Sequence, residues 1–406
     1  MSVQEKQKRW THPRHAVVTK ILKPILTPFI LWRYHISVEP FAQQGNRPYL
    51  VLYNHQTPFD QFYVAIAFHG PVYYMATEDI FSLGWISDVL RWLVNPIPIR
   101  KQTTDIQAVM NCLRVVREGG TVAIAPEGNR TYSGRTEYMN PAVAGLAKKM
   151  KLPIALFRIE GGYGAEPRWS DKVRRGPIRG YVSKVIEPEE YLTMSNEELV
   201  AIIAEGLHVD EGNADGIYRS NRRAEFLERA VYVCPFCGLS EFKSHGNDVT
   251  CKTCGRTIHY GEDKTLSGDG FEFPFRFMTQ WYDYQEDYVN QQDITQFIHK
   301  PLFRDKANIS KVIVYERKEP LWENASISLY GDRVVFNEDT EQQLVIPFQD
   351  ADAVTVLGRN KLNIYFDKNI YQLKGSKQFN ALKYVHLCYR CKNILRGEMH
   401  DQFLGI

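Results

Sequence analysis

The chain has 406 residues, 44% of them hydrophobic, with 50 Lys and Arg against 47 Asp and Glu for a net charge of +3. That length suggests two or three domains with ample apolar material for cores, and so even a charge balance gives no argument for nucleic acid. No apolar run reaches the about 20 residues of a membrane-spanning helix, and the opening 1–9 reads as no signal peptide, so the cytoplasmic side is expected.

In chain order, 14–32 comes first. Val18, Ile21, Leu22, Ile25, Phe29 and Trp32 recur at helical spacing among Lys20, Lys23 and Arg33. Pro24 and Pro28 predict short or kinked helices. A basic, Trp-tipped segment of this kind fits a membrane interface; a helix packed on its own domain is the alternative. The apolar run 49–53 predicts a buried strand. It leads into Asn54-His55-Gln56-Thr57-Pro58-Phe59-Asp60, where Pro58 keeps the loop from being a helix interior. A histidine at a strand end, with an aspartate able to curl back under its ring, is what a general base requires. Taken alone the pair reads better as a structural His in a polar loop; the second block downstream reverses that preference. A helix over 60–68, a strand over 72–76 and a helix over 80–93 follow. The segment 95–101 is extended and proline-stiffened and ends in Arg100-Lys101. A helix over 105–117 closes on Gly119-Gly120. The strand 120–125 runs into Pro126-Glu127-Gly128-Asn129-Arg130-Thr131. Gly128 permits close backbone approach, and Arg130 offers a donor fork suited to phosphate. A helix over 141–151 precedes the strand 152–157, which has an early proline, Pro153.

These blocks, in this order, resemble the glycerolipid acyltransferase superfamily of the lysophosphatidic-acid-acyltransferase type. Its hallmarks are N-H-x4-D, a later E-G-x-R, a basic block between them and a hydrophobic strand with an early proline. The resemblance covers roughly the first half of the chain. One departure is Asn129, where many phosphatidic-acid-forming members carry Thr. The resemblance implies an α/β catalytic domain in which His55 and Asp60 are catalytic. It implies that Gly128 and Arg130 hold an acceptor phosphate, with Glu127 orienting the loop and Arg100 and Lys101 as further phosphate contacts. The implied reaction moves a fatty acyl group from an acyl thioester, of coenzyme A or acyl carrier protein, to a hydroxyl of lysophosphatidic acid, a related lysophospholipid or glycerol phosphate. The implied setting is peripheral, on the cytoplasmic face of a membrane.

Further on, 163–175 mixes aromatics with cations and reads either as a headgroup contact or as a solvated loop. A strand is expected in 177–186. Ser195-Asn196-Glu197-Glu198 is a capping box that opens a helix to about residue 207. A connector over 208–215 and a linker helix over 221–231 follow. Cys234-x-x-Cys237 and Cys251-x-x-Cys254 then give a zinc-ribbon pattern, four thiolates suiting a closed, structural Zn²⁺ site. His259 is a spare ligand at most. Acidic residues dilute any basic face there, so a scaffold or a protein partner is preferred to nucleic acid. The aromatic stretch 271–305 reads as a connector with a helix near 279–291, seated on the catalytic domain. From 310 the pattern is all-β: 311–315, 326–330, 333–337, 343–347, 353–357, 361–366 and 370–374, closed by a helix over 377–395. That order resembles a pleckstrin-homology-like or GRAM-like domain, a second place for a lipid or a protein partner. Cys388 and Cys391 share a face of the final helix and read as buried thiols. The expected organisation is 1–208 acyltransferase domain with its amphipathic N-terminal segment, 209–231 linker, 232–263 zinc ribbon, 264–305 connector and 306–406 β-domain. The competing reading is a non-catalytic lipid-binding or tethering protein on an acyltransferase scaffold.

Overall fold

The apolar runs read from the sequence become the central strands of a mixed sheet. The structure, a computed structural model, describes residues 9–77, 80, 81, 84–99, 105–136, 138–212, 215–313 and 318–398. They fall into two units: Met1–Gly128, Met139–Glu160 and Ile178–His208 in the first, and Asn129–Tyr138, Gly161–Pro177 and Val209–Ile406 in the second.

The first unit contains α1 (Pro13–Tyr34), β1 (Ile36–Val38), β2 (Leu50–Tyr53), α2 (Asp60–Ala67), β3 (Val72–Thr77), α3 (Trp85–Val94), β4 (Ile97–Ile99), α4 (Ile106–Arg117) and β5 (Thr121–Ile124). It continues with α5 (Ala142–Met150) and β6 (Ile154–Glu160). After α6 (Gly162–Ala165), which belongs to the second unit, it ends with β7 (Ile178–Ile186), α7 (Pro188–Tyr191) and α8 (Asn196–Leu207). The seven strands run in the order β1-β7-β6-β2-β5-β3-β4. β2 lies between β5 and β6, parallel to both, and β7 is antiparallel to β6. Every residue of β2 and β5 is buried, as a parallel strand covered on both faces must be. Side chains alternate along β2. Leu50 and Leu52 join the core made with α4, α5 and α8, while Tyr49 packs on Phe41 and Phe68 at 5.4 and 6.3 Å between ring centres. The capping box at Ser195 forms as expected: Ser195 Oγ accepts the Glu198 N–H at 3.0 Å, and Glu198 Oε2 accepts the Ser195 N–H at 2.7 Å.

Of the short or kinked helices expected over 14–32, the short ones are not found. α1 is a single helix of 22 residues with Pro24 and Pro28 inside it. Both prolines are exposed and lie four apart. The carbonyls they leave without an amide partner therefore face solvent, which lowers the cost of the missing bonds.

The second unit holds β8 (Val233–Cys234), β9 (Gly238–Leu239), β10 (Phe242–His245), β11 (Asp248–Cys251), β12 (Thr257–Tyr260), β13 (Leu266–Gly268) and α9 (Met278–Gln291). Then come β14 (Phe303–Lys311), β15 (Glu319–Leu329), β16 (Arg333–Phe336), β17 (Leu344–Pro347), β18 (Ala353–Leu357), β19 (Lys361–Phe366), β20 (Asn369–Gly375) and α10 (Leu382–Arg396). β10–β13 form a four-stranded antiparallel sheet, and β14–β20 a seven-stranded one ordered β17-β16-β15-β14-β20-β19-β18. The expected seven strands and closing helix are present, though the first strand lies at 303–311 rather than 311–315. Residues 314–317 lie outside the described residues.

Burial corrects three expectations here. The segment 163–175 is neither a headgroup loop nor solvated, because Trp169, Arg168 and Arg174 are buried. Arg168 gives its donors to the carbonyls of Arg130 (2.9 Å), Val356 (3.1 Å) and Gly358 (3.2 Å) and stacks over Tyr132. Arg174 lies between the rings of Trp169 and Tyr260. The buried Arg168 guanidinium is tolerated because its donors are satisfied in this way. The region 221–231 contains only a 3₁₀ turn, Leu227–Arg229, and Ala224, Leu227, Ala230 and Val231 belong to the core, so it is no exposed linker helix. Arg229 fixes this path by donating to Asp171 Oδ1 at 2.7 Å and to the Trp169 carbonyl at 3.0 Å. Finally, the four-cysteine region, α9 and the seven-stranded sheet share one continuous core. The aromatics of 271–281 contribute to it within this unit, Phe273 on Trp281 at 5.1 Å and Trp281 on Phe242 at 5.5 Å.

Candidate active site and metal centre

β2 and β5 are neighbours and parallel, so the loops leaving their carboxyl ends lie side by side, where open α/β sheets bind ligands. The loop after β2 carries His55 and the loop after β5 carries Glu127. Asn54 anchors the first loop: its Nδ2 donates to the Ile159 carbonyl at 2.8 Å and its Oδ1 accepts the Ile159 N–H at 2.7 Å.

Asp60 is the first residue of α2 and fully buried. Its carboxylate turns back over its own loop. It accepts from His55 Nδ1 at 2.7 Å, the Gln56 N–H at 2.7 Å, the Thr57 N–H at 2.9 Å and the Thr57 hydroxyl at 2.7 Å. Four donors converge on it, and an ionised carboxylate can only accept. Nδ1 therefore carries a proton, and Nε2 is left as the basic lone pair. The His55 side chain is 25% exposed, so the ring is reachable. Beneath it, Tyr53 packs edge-on at 6.3 Å. Burial, and after it the negative charge of Asp60, push the Tyr53 phenol well above its ordinary range, so it stays neutral.

Glu127 is buried, and its Oε1 accepts the backbone N–H of His55 at 2.8 Å. Its role within this unit is thus to fix the main chain that carries the base. Gly128 follows at φ +72°, its N–H closing a turn on the Ala125 carbonyl at 3.0 Å. Only glycine takes that backbone without strain. The structure brings His55, Asp60, Glu127 and Gly128 together in the first unit. Arg130 belongs to the second unit, where it is buried and its carbonyl accepts from Arg168. Arg100 and Lys101 lie outside the described residues. The sequence reading missed Asn54 and Thr57; the polar run of 54–57, directly after an apolar strand, was the available signal.

Cys234, Cys237, Cys251 and Cys254 form the second site, with their sulfurs all within 4.8 Å of one another. Cys234 and Cys254 are 3.8 Å apart, and Cys237 and Cys251 3.6 Å. A tetrahedral ion with metal–sulfur bonds of about 2.3 Å sets its sulfurs about 3.8 Å apart, so the set fits a metal ion. His259 is elsewhere engaged, its Nδ1 lying 2.7 Å from Asp248 Oδ1. Cys388 and Cys391 are buried on α10, and burial pushes their thiols up to about 12 and about 11, as inert core cysteines.

Residues 35–159 match the family model described as Acyltransferase. A 1-acyl-sn-glycerol-3-phosphate acyltransferase of Bacillus subtilis (strain 168) is 20% identical over 137 residues, 34% of this chain and 65% of that protein. The chain thus spans just under two thirds of that relative's length. The crystal structure of the 1-acyl-sn-glycerophosphate acyltransferase PlsC from Thermotoga maritima is similar at 20% identity and a TM-score of 0.40, covering 47% of this chain and 77% of that one. His55, Asp60, Glu127, Gly128 and Arg130 all lie inside the matched segment, and the chain therefore carries, over residues 35–159, a domain of the acyltransferase type.

Proposed function

We propose that this protein transfers a fatty acyl group from an acyl thioester, of coenzyme A or acyl carrier protein, to a hydroxyl of lysophosphatidic acid or a related lysophospholipid. The observation that carries the reading is the His55–Asp60 pair: a fixed Nδ1–H, which makes Nε2 the basic nitrogen, and a carboxylate saturated by donors, inside the segment that matches the family. His55 Nε2 takes the acceptor's hydroxyl proton while that oxygen attacks the thioester carbonyl. Asp60 opposes the charge of the imidazolium that forms. Collapse of the tetrahedral intermediate expels the thiolate, which recovers the proton from Nε2. No acyl-enzyme is needed. Gly128 and Arg130, with Arg100 and Lys101, are proposed phosphate contacts by resemblance to the family.

A bilayer-resident acceptor suits the surface of the first unit. Ile25, Phe29 and Trp32 on α1 and Trp85 and Trp92 on α3 are exposed. Lys20 and Arg33 stand among them, and α1 has no acidic residue. That composition fits peripheral docking on an anionic lipid surface. Among the described residues no helix is long and apolar enough to cross a membrane. Zn²⁺ is the proposed ion for the four cysteines, in a structural role, and the seven-stranded sheet with its closing helix is read as pleckstrin-homology-like.

The test is acyl transfer to lysophosphatidic acid in mixed micelles, with each donor type, comparing wild type with His55→Ala. Turnover in wild type and its loss in the variant are expected. No turnover of any lysolipid or glycerol phosphate with either donor would favour the tethering reading instead. Full activity in His55→Ala would remove His55 as the base.

A further inference from the structure

Asp60 holds His55 through one oxygen and is itself held through the other. Oδ2 takes the His55 ring N–H and the Gln56 N–H, each at 2.7 Å. The Thr57 N–H is shared between the two oxygens, at 2.9 and 3.0 Å. That leaves the Thr57 hydroxyl, 2.7 Å from Oδ1, as the one donor that Oδ1 does not share among the described residues. Thr57 and Asp60 are both fully buried, so no bulk water stands in for it. The hydroxyl has one proton and two lone pairs. An ionised carboxylate only accepts and a backbone amide only donates. The proton therefore lies toward Asp60, and the oxygen receives the Phe59 N–H at 3.1 Å. The Tyr63 hydroxyl stands 3.3 Å from the same oxygen and, with that proton spent, faces it as a donor.

This single hydroxyl joins the loop to the carboxylate. By accepting from the amide two residues on, it makes a local Ser/Thr turn and fixes the backbone on either side of Pro58. By donating to Oδ1, it fixes the plane of the carboxylate. Rotation about the last bond of an Asp side chain is soft and roughly two-fold. Left free, that rotation would carry Oδ2 out of line with Nδ1, and with it the direction of the Nε2 lone pair. Branching at Cβ also makes Thr stiffer than Ser about its first torsion. We propose that Thr57 is a positioning residue of the acyl-transfer site: its hydroxyl locks the Asp60 carboxylate and so sets the aim of His55. The inference rests on the reading of His55 as the base. Thr57 acts through Asp60 and is not itself a catalytic group.

The experiment compares the full wild-type chain with Thr57→Val and Thr57→Ser. Val keeps the branched shape without the hydroxyl; Ser keeps the hydroxyl without the branch. Three readouts are taken: a thermal melt, kcat and KM for thiol release with lysophosphatidic acid as acceptor, and the low-field proton resonance of the His55 Nδ1–H, identified by its loss in His55→Ala. In Thr57→Val the resonance should shift or broaden. Its kcat should fall about tenfold or more while KM moves less than about threefold, as a small misalignment of the base requires. Thr57→Ser should restore the resonance and bring kcat to within about threefold of wild type. If Thr57→Val melts below the assay temperature, Thr57→Ala, which sets no methyl against the carboxylate, carries the same prediction. A purely structural Thr57 would lower the melting temperature and leave the resonance and kcat of the hydroxyl-free variants unchanged; that result overturns the proposal. The resonance does not depend on turnover. Its change in Thr57→Val, beside a wild type that acylates no acceptor, would refute the acyl-transfer reading and leave Thr57 in its role.

Discussion

Replacing Asp60 by Asn separates the charge of the catalytic pair from its geometry. With its carbonyl in the place of Oδ2, the amide keeps the bonds from His55 Nδ1 (2.7 Å), the Gln56 N–H (2.7 Å) and the Thr57 N–H (3.0 Å). The new NH₂ then meets the Thr57 hydroxyl, which can turn to the Tyr63 hydroxyl 3.3 Å away, and the Thr57 N–H, which gives up its 2.9 Å bond to Oδ1 and keeps the 3.0 Å one to the carbonyl. Folding should therefore survive, at a cost of about 1–3 kcal/mol for exchanging charged for neutral hydrogen bonds. The opposite orientation would set NH₂ against three N–H donors, those of His55 Nδ1, Gln56 and Thr57, and is disfavoured. What the variant loses is the negative charge that opposes imidazolium as the proton moves to Nε2. The expected fall in kcat is about 10²–10⁴-fold, or about 2.7–5.5 kcal/mol of barrier. A continuous assay of thiol release from the acyl thioester, run beside a thermal melt, reads both quantities. Asp60→Asn with kcat within about threefold of wild type would refute the base mechanism, since that corresponds to well under 1 kcal/mol.

Glu127→Ala leaves the His55 N–H without its buried acceptor; a loss of about 1–3 kcal/mol of stability is expected, with kcat/KM falling, by chemical denaturation and the same assay. Purified protein should carry one metal ion per chain by elemental analysis, and Cys251→Ser should lose it together with the cooperative melting of the second unit. His386 is buried between the Tyr232 and Tyr282 hydroxyls, 2.7 and 3.3 Å from its ring nitrogens, and burial lowers it from 6.5 to about 3. The native state then binds fewer protons than the unfolded one across that window. Stability is complete above pH 6.5 and should fall as pH drops toward 3, by at most about 1.4 kcal/mol per pH unit. Urea midpoints at successive pH values read this slope, and His386→Gln should flatten it.

Sequence by itself determined whatever depends on near neighbours. The apolar runs of β2 and β5, the Ser195 capping box, the His55-x4-Asp60 spacing and the paired cysteines are each complete within a few residues, and each appears where the pattern put it. Even the alternation of β19 and β20 was legible, because strand period is a local property. Tertiary structure decided the rest. Glu127 meets His55 only because β5 lies beside β2, a pairing between segments about seventy residues apart. Arg168 and Arg174 look like solvated cations in sequence; carbonyls and rings brought from distant strands make them core. Burial and register are set by what covers or faces a residue, and the local pattern holds no record of that partner.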